Sequence, residues 1–190
     1  MRFLIMGPPG SGKGTQAAIL AKRFGLPAIS TGDIFRANVA EGTPLGQQAQ
    51  RYMKAGEYVP DEITNQMVRD RLNEADATDG FLLDGYPRTV AQVEFLDSVL
   101  AEQRVALDRV IEMVVDVEEV VGRLLARAAE DGRDDDTEEV IRHRQQLYAR
   151  QTAPLTAIYR DRGLLVQVDG MGSVDEVAAR MAAALGADDE

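Results

Sequence analysis

Gly7-Pro8-Pro9-Gly10-Ser11-Gly12-Lys13-Gly14-Thr15 lies between an apolar run, Arg2–Met6, and a stretch of helical spacing from Lys13 to Phe24. No other segment restricts the fold as much. The run before it is short, apolar and ends on glycine, as a buried strand does. After it, Ala17, Leu20, Ala21 and Phe24 recur at helical spacing, and Gly25 and Pro27 stop the helix. Where a strand passes into a helix through small residues, backbone N–H groups converge on an anion at the positive helix end. Lys13 adds a mobile charge, and Thr15 a hydroxyl near a Mg²⁺ position. An ordinary glycine-rich turn is the alternative. Glycines, lysine, strand and helix together favour a loop that cradles nucleotide phosphates.

The rest of the chain repeats the strand–helix alternation. Ala28–Ser30, Gly80–Gly85, Val110–Val115 and Leu164–Val168 read as further short strands. Helices are expected over Asp61–Ala75, Thr89–Leu100, Asp116–Ala129, Thr137–Tyr159 and Ser173–Leu185. Pro154 should kink or end the fourth, and Ser173-x-x-Glu176 should cap the fifth. This alternation predicts an α/β fold, a parallel five-stranded sheet flanked by helices. Two stretches depart from it. Thr31 to Val59 reads as two short helices broken at Gly42-Thr43-Pro44 and stopped at Gly56, and Arg127 to Asp136 is charged and contains Gly132. Both read as inserts on one core, placed where open α/β sheets bind ligands.

Composition removes other classes. Among 190 residues there is no cysteine, which excludes disulfides, thiolate zinc sites and cysteine nucleophiles. The net charge of −11 is wrong for a general nucleic-acid binder. No apolar run reaches the roughly 18 residues of a membrane span, and the N-terminus lacks the pattern of a secretory signal. No nucleic acid, no membrane and a cytoplasmic location are the resulting expectations.

Further residues suggest a second anion site. Ser30-Thr31-Gly32-Asp33-x-x-Arg36 follows the second strand. Thr31 is either a plain N-cap beside a solvated Arg36, or one of a ligand pair. Asp84-Gly85-Tyr86-Pro87-Arg88-Thr89-x-x-Gln92 closes the third strand. Asp84 is placed to hold magnesium through water, and Pro87 stiffens the approach of Arg88. Gln92 either completes a capping box with Thr89 or reads a base. Arg123, Arg127, Arg133, Arg142 and Arg144 put five of the 21 cations within 22 residues. Arg123 and Arg127 share a helix face, whereas Arg142 and Arg144 cannot point the same way. A charged helix face is usually just solvated; the density beside an insert argues otherwise. His143 carries no assigned role.

Taken in order, Gly7–Thr15, Ser30–Arg36, Phe81–Gln92, Arg123–Arg127 and Gly132–Arg144 resemble the adenylate kinase family over nearly the whole chain. The loop is close to that family's GxPGxGKGT form, so Gly14 is expected between lysine and threonine. The resemblance implies a P-loop NTPase-type fold and Mg²⁺-dependent phosphoryl transfer from ATP to AMP, giving ADP. It implies a core of residues 1–29, 60–125 and 137–190, an AMP-binding insert of 30–59 and a short lid of 126–136. Gly10, Ser11, Gly12, Lys13, Gly14, Thr15, Arg127 and the Gly172 carbonyl would contact ATP. Thr31, Arg36, the backbone at Glu57, Tyr58 and Val59, then Gly85, Tyr86, Pro87, Arg88 and Gln92, would hold AMP. Lys13, Arg88, Arg123, Arg133 and Arg144 would surround the transferred group, with Arg133 and Arg144 also reaching the acceptor. Asp84 would support Mg²⁺ through water, with Asp33 a weaker candidate.

Other family members carry a longer lid, some with zinc-binding cysteines. Here Arg127 and Arg133 are six positions apart, too few for a zinc ribbon, so no zinc is expected. Tyr86 stands where the family often has phenylalanine. The resemblance also implies a monomer. Its chemistry suits the residues, because an anionic phosphate acceptor needs positioning and charge neutralisation rather than a general base. The competing expectations are a kinase for another nucleoside monophosphate, a P-loop ATPase acting through partners, and an acidic interaction module. Thr31 and Gln92 favour adenine over pyrimidine acceptors, since the pyrimidine relatives usually carry alanine and asparagine there.

Overall fold

The computed structural model describes residues 1–131 and 137–186, by the backbone alone over 127–131. Five strands form one sheet: β1 (Arg2–Met6), β2 (Ala28–Ser30), β3 (Phe81–Asp84), β4 (Arg109–Val114) and β5 (Leu165–Asp169), in the order β2-β3-β1-β4-β5. Every pairing is parallel. The first long helix, α1 (Lys13–Phe24), matches the expected span, with Gly25 at its C-terminal cap.

Strand parity divides the core. Leu4 and Met6 of β1 join Phe81 and Leu83 of β3 on one face, while Phe3 and Ile5 join Leu82 on the other. The first face is covered by α4 (Asp61–Leu72), α5 (Val90–Glu102) and α8 (Leu155–Asp161). The second is covered by α1 and α9 (Val174–Ala184). Leu4, Leu82, Leu83, Val110 and Ile111 are fully buried. Each such side chain stabilises the fold by about 1.5–3 kcal/mol through removal from water. A strand apolar on both faces is therefore an interior strand, as the unbroken runs implied.

Between β2 and α4 the chain makes a helical hairpin, α2 (Thr31–Glu41) and α3 (Pro44–Ala55). Gly42 ends α2 in the left-handed region at φ 67°. Thr43 then caps α3 by accepting from the Gly46 N–H at 3.0 Å, with Pro44 opening the helix. The two helices touch at Gly46, where a Cβ would stand 2.0 Å from the Asn38 carbonyl oxygen.

The segment expected over Thr137–Tyr159, with a kink or end at Pro154, is interrupted just ahead of that proline. It consists of α7 (Glu138–Leu147), a π-helical turn over Tyr148–Thr152, and α8. Pro154 has no N–H and its ring opposes the carbonyl four residues back. The backbone widens before it, and Ala153 N–H donates to the Tyr148 carbonyl at 2.9 Å. The helix preceding α7 is α6 (Val117–Asp131). At the C-terminal helix the Ser173–Glu176 capping box is present as expected.

Candidate active site

At the carboxyl ends of β1 and β3 lies a cavity of about 590 Å³. One wall is the glycine loop between β1 and α1. Gly10 and Gly12 have φ 84° and 90°, a region that glycine enters without strain. Gly10 is also tightly placed, since a Cβ there would sit 2.6 Å from Leu124 Cγ on α6. The loop is anchored from α7, where the Gln145 amide donates to the Pro9 carbonyl at 2.7 Å. Lys13 lines the cavity, and its Nζ donates to the Pro8 carbonyl at 2.9 Å.

Asp84 ends β3 on the same face as Leu82, which turns it toward the start of α1. Gly14 stands beside it, and a Cβ on that glycine would make only ordinary contact, at 3.8 Å, with Asp84 Oδ2. Asp84 is buried, and its Oδ1 has no hydrogen-bond partner. Burial raises its carboxyl pKa, against the opposing pull of the Lys13 and Arg88 charges. A buried, under-satisfied carboxylate oxygen beside a phosphate-type loop fits a hydrated divalent cation.

After Asp84 the chain turns sharply. Gly85 has φ 80°, and the Tyr86–Pro87 peptide is cis. Arg88 folds back so that Nε donates to the Gly85 carbonyl at 2.7 Å, while its guanidinium stacks over the Tyr58 ring at 4.9 Å. The Thr31 hydroxyl donates to the same carbonyl at 3.0 Å. Thr31 is thus not the N-cap; Ser30 caps α2 by accepting from Asp33 N–H. Arg36 lines the cavity and pairs with Asp33.

Gln92 departs from a capping box. Thr89 caps α5 by accepting from the Gln92 N–H at 3.2 Å, but the Gln92 side chain does not reach back to Thr89. Its Oε1 accepts from Arg88 N–H at 2.7 Å and its Nε2 donates to Asp61 at 2.7 Å. Tyr86 donates its hydroxyl to Asn65 at 2.6 Å, and burial raises its pKa.

The far wall comes from α6 and α7. Arg123 and Arg144 line the cavity, and Arg144 donates to the Met53 carbonyl at 2.9 Å. Arg142 points elsewhere, to Glu138 and Glu118 at 3.0 and 3.5 Å, which resolves the pair as their spacing required. His143 bonds Glu57 at 2.7 Å on the exposed rim.

Of the expected residues, Gly10, Gly12, Lys13, Gly14, Thr15, Thr31, Arg36, Glu57, Tyr58, Val59, Asp84, Gly85, Tyr86, Pro87, Arg88, Gln92, Arg123 and Arg144 share this one cavity. Ser11 lies in the loop with its side chain buried behind it. Gly172 lies in the β5–α9 connection, outside the cavity lining. The Arg127 side chain, Gly132 and Arg133, and with them most of the expected lid, lie outside the described residues. The cavity also contains Phe35, Thr64, Tyr148 and Thr152, which no motif marked. Among the described residues no group of three or more His, Cys, Asp or Glu could hold a metal, and no helix is long and apolar enough to cross a membrane.

A parallel sheet whose central strand runs through this glycine loop into α1, with cations gathered at the strand ends, defines an α/β protein of the P-loop nucleotide-binding class. A family model for adenylate kinase matches residues 5–164. An adenylate kinase of Nocardioides sp. is 65% identical over 185 residues, covering 97% of each chain. One from Kocuria rhizophila is 61% identical, covering 97% of this chain and 98% of its own, and one from Thermobifida fusca is 59% identical with the same coverage. The chain belongs to the adenylate kinase family.

Proposed function

We infer that the chain is an ATP:AMP phosphotransferase that moves the terminal phosphoryl group of ATP to AMP, reversibly, giving two ADP. One observation carries the reading: Lys13 of the glycine loop shares a cavity with Arg36, Arg88, Arg123 and Arg144. The triphosphate of ATP and the phosphate of AMP meeting there would have cations on both sides and no need of a base.

In this reading Gly10, Ser11, Gly12, Lys13, Gly14 and Thr15 hold the ATP phosphates, and Arg127 and the Gly172 carbonyl complete the ATP contacts. Thr31, Arg36, Arg88, Gln92 and the backbone of Glu57–Val59 and Gly85–Pro87 hold AMP. Lys13, Arg88, Arg123, Arg133 and Arg144 neutralise charge on the group in flight. Planar guanidinium forks suit phosphate oxygens, and Arg88 is already held from two sides, by the Gly85 carbonyl and the Tyr58 ring. Asp84 would hold magnesium through water, and the ion when bound would supply positive charge that offsets the charge of the phosphates. Residues 30–59 form the acceptor insert and 126–136 a short lid, on a core of 1–29, 60–125 and 137–190. A lid that excludes water prevents hydrolysis from competing with transfer. We further propose a cytoplasmic monomer whose partners are ATP, AMP and ADP.

A coupled assay with AMP, CMP, UMP and GMP tests the reading. AMP is the expected acceptor. Robust turnover of UMP without AMP overturns it, and ATP hydrolysis indifferent to AMP favours an ATPase.

A further inference from the structure

We propose that Asp61 sets which purine the acceptor site takes, by locking the Gln92 side-chain amide in one of its two orientations. The proposal rests on the reading above, in which Gln92 faces the acceptor base. Asp61 is the first residue of α4, and Thr89 and Gln92 stand at the start of the neighbouring α5. Asp61 Oδ2 accepts from the Thr89 hydroxyl at 2.8 Å, and Oδ1 accepts from Gln92 Nε2 at 2.7 Å. On its other side Gln92 Oε1 accepts from the Arg88 N–H at 2.7 Å. The Gln92 side chain is only 1% exposed and lines the cavity.

A carboxylate can only accept and a peptide N–H can only donate. An amide held between them satisfies both in a single orientation. Rotated by half a turn, it would set its oxygen against Asp61 and its NH₂ against the Arg88 N–H, losing two hydrogen bonds in a buried place. Locked, Gln92 keeps one N–H and one lone pair in fixed order. Adenine offers an acceptor ring nitrogen beside the donor amine at C6, which complements an amide. A 6-oxopurine offers the reverse on its Watson–Crick edge, a donor N1–H beside an acceptor oxygen. A free amide accommodates either base by rotating; this one cannot. Asp61 is thus a positioning residue, acting on the base through Gln92.

The test is Asp61→Asn, which keeps shape but can donate or accept and so releases the lock. With AMP and IMP as alternative acceptors, the ratio of their kcat/KM values is expected to fall at least tenfold, mostly through KM. Thr89→Val should lower the thermal midpoint and leave that ratio alone. An unchanged ratio in Asp61→Asn, or an equal fall in Thr89→Val, overturns the proposal. Should Asp61→Asn not fold, ¹⁵N NMR of the wild-type protein decides. One Gln92 side-chain proton is expected to resist exchange with water, and free exchange of both overturns the lock. Failure of the wild-type protein to use AMP would instead sink the assignment of function, so the two failures are separable.

Discussion

Thr152 donates its hydroxyl to the backbone carbonyl of Arg88 at 3.0 Å, across 64 positions of sequence. The same hydroxyl meets the Tyr58 hydroxyl at 2.8 Å. One buried side chain in the π-helical turn thereby holds both the arginine's backbone and the ring on which its guanidinium rests. Thr152→Val keeps the shape and removes the hydroxyl. Loss of the two bonds costs about 2 kcal/mol, a fall in Tm of about 4–8 °C for a chain of this size. The kcat/KM for AMP is also expected to fall, by about tenfold, because 1.4 kcal/mol of lost positioning is one decade in rate. Calorimetry and steady-state kinetics on the one variant check both.

Arg88→Lys retains the charge and loses the fork, the Nε bond to Gly85 and the stacking on Tyr58. Transfer should fall by at least about a hundredfold, the loss expected for a charge-stabilising donor. Thermal stability should stay within a few degrees. Near-normal turnover would count against Arg88 as a catalytic residue.

Asp84 makes a prediction with a defined sign. Its pKa is raised in the folded state by burial, so the folded protein binds its proton more tightly than the unfolded chain. The stability this gives is fully present below the ordinary carboxylate pKa and is lost as pH rises through the raised value. Above the ordinary carboxylate pKa, burying this group therefore destabilises the nucleotide-free protein. Asp84→Asn should raise Tm at neutral pH, flatten that part of the pH–stability curve, and lower Mg²⁺-dependent transfer. A lower Tm for the variant at neutral pH would refute this.

Gly10→Ala and Gly12→Ala should differ although they are two residues apart. Both force alanine to positive φ, costing about 1–2 kcal/mol. Only Gly10 also meets a neighbour, Leu124 Cγ, at 2.6 Å; at Gly12 the nearest atom is 3.9 Å away. Overpacking adds about 1–3 kcal/mol at Gly10. Denaturant melts should rank Gly10→Ala well below Gly12→Ala, and equal midpoints would contradict the contact.

Gly46→Ala addresses the helical hairpin. The added methyl would stand 2.0 Å from the Asn38 carbonyl oxygen, so α2 and α3 must separate. The expected effect is a higher KM for AMP with little change in KM for ATP, because the disturbance is confined to the proposed acceptor insert. Equal changes in the two would argue that residues 30–59 do not act as that insert.

Much of this was legible in the residues. The glycine loop, the strand runs and the break at Gly42-Thr43-Pro44 each depend on local physics: glycine's backbone freedom, proline's missing donor and the periodicity of apolar side chains. Asp84 and Arg88 were legible because the end of a strand in an α/β sheet is itself a location. Thr152 and Asp61 were not. Each is a common polar residue with no distinctive local spacing, and its partner is remote in sequence or on another element. Gln92 was half legible. Its spacing from Thr89 suggested a capping box, but Asp61, 31 residues away, offered its Nε2 a charged acceptor that no local pattern could disclose.

The sequence alone determined the class of fold and the position of the phosphate loop, since these follow from short-range geometry, and its resemblance to the adenylate kinase family supplied the fuller set of candidate residues. Tertiary structure decided which of them face one another. It put Arg144 in the cavity and Arg142 on the surface, buried Asp84 without a partner for Oδ1, and set the Gln92 amide between a group that only accepts and one that only donates. Burial and hydrogen bonding between distant segments exist only once the chain has closed on itself, and these contacts set the charge and orientation of the site's side chains.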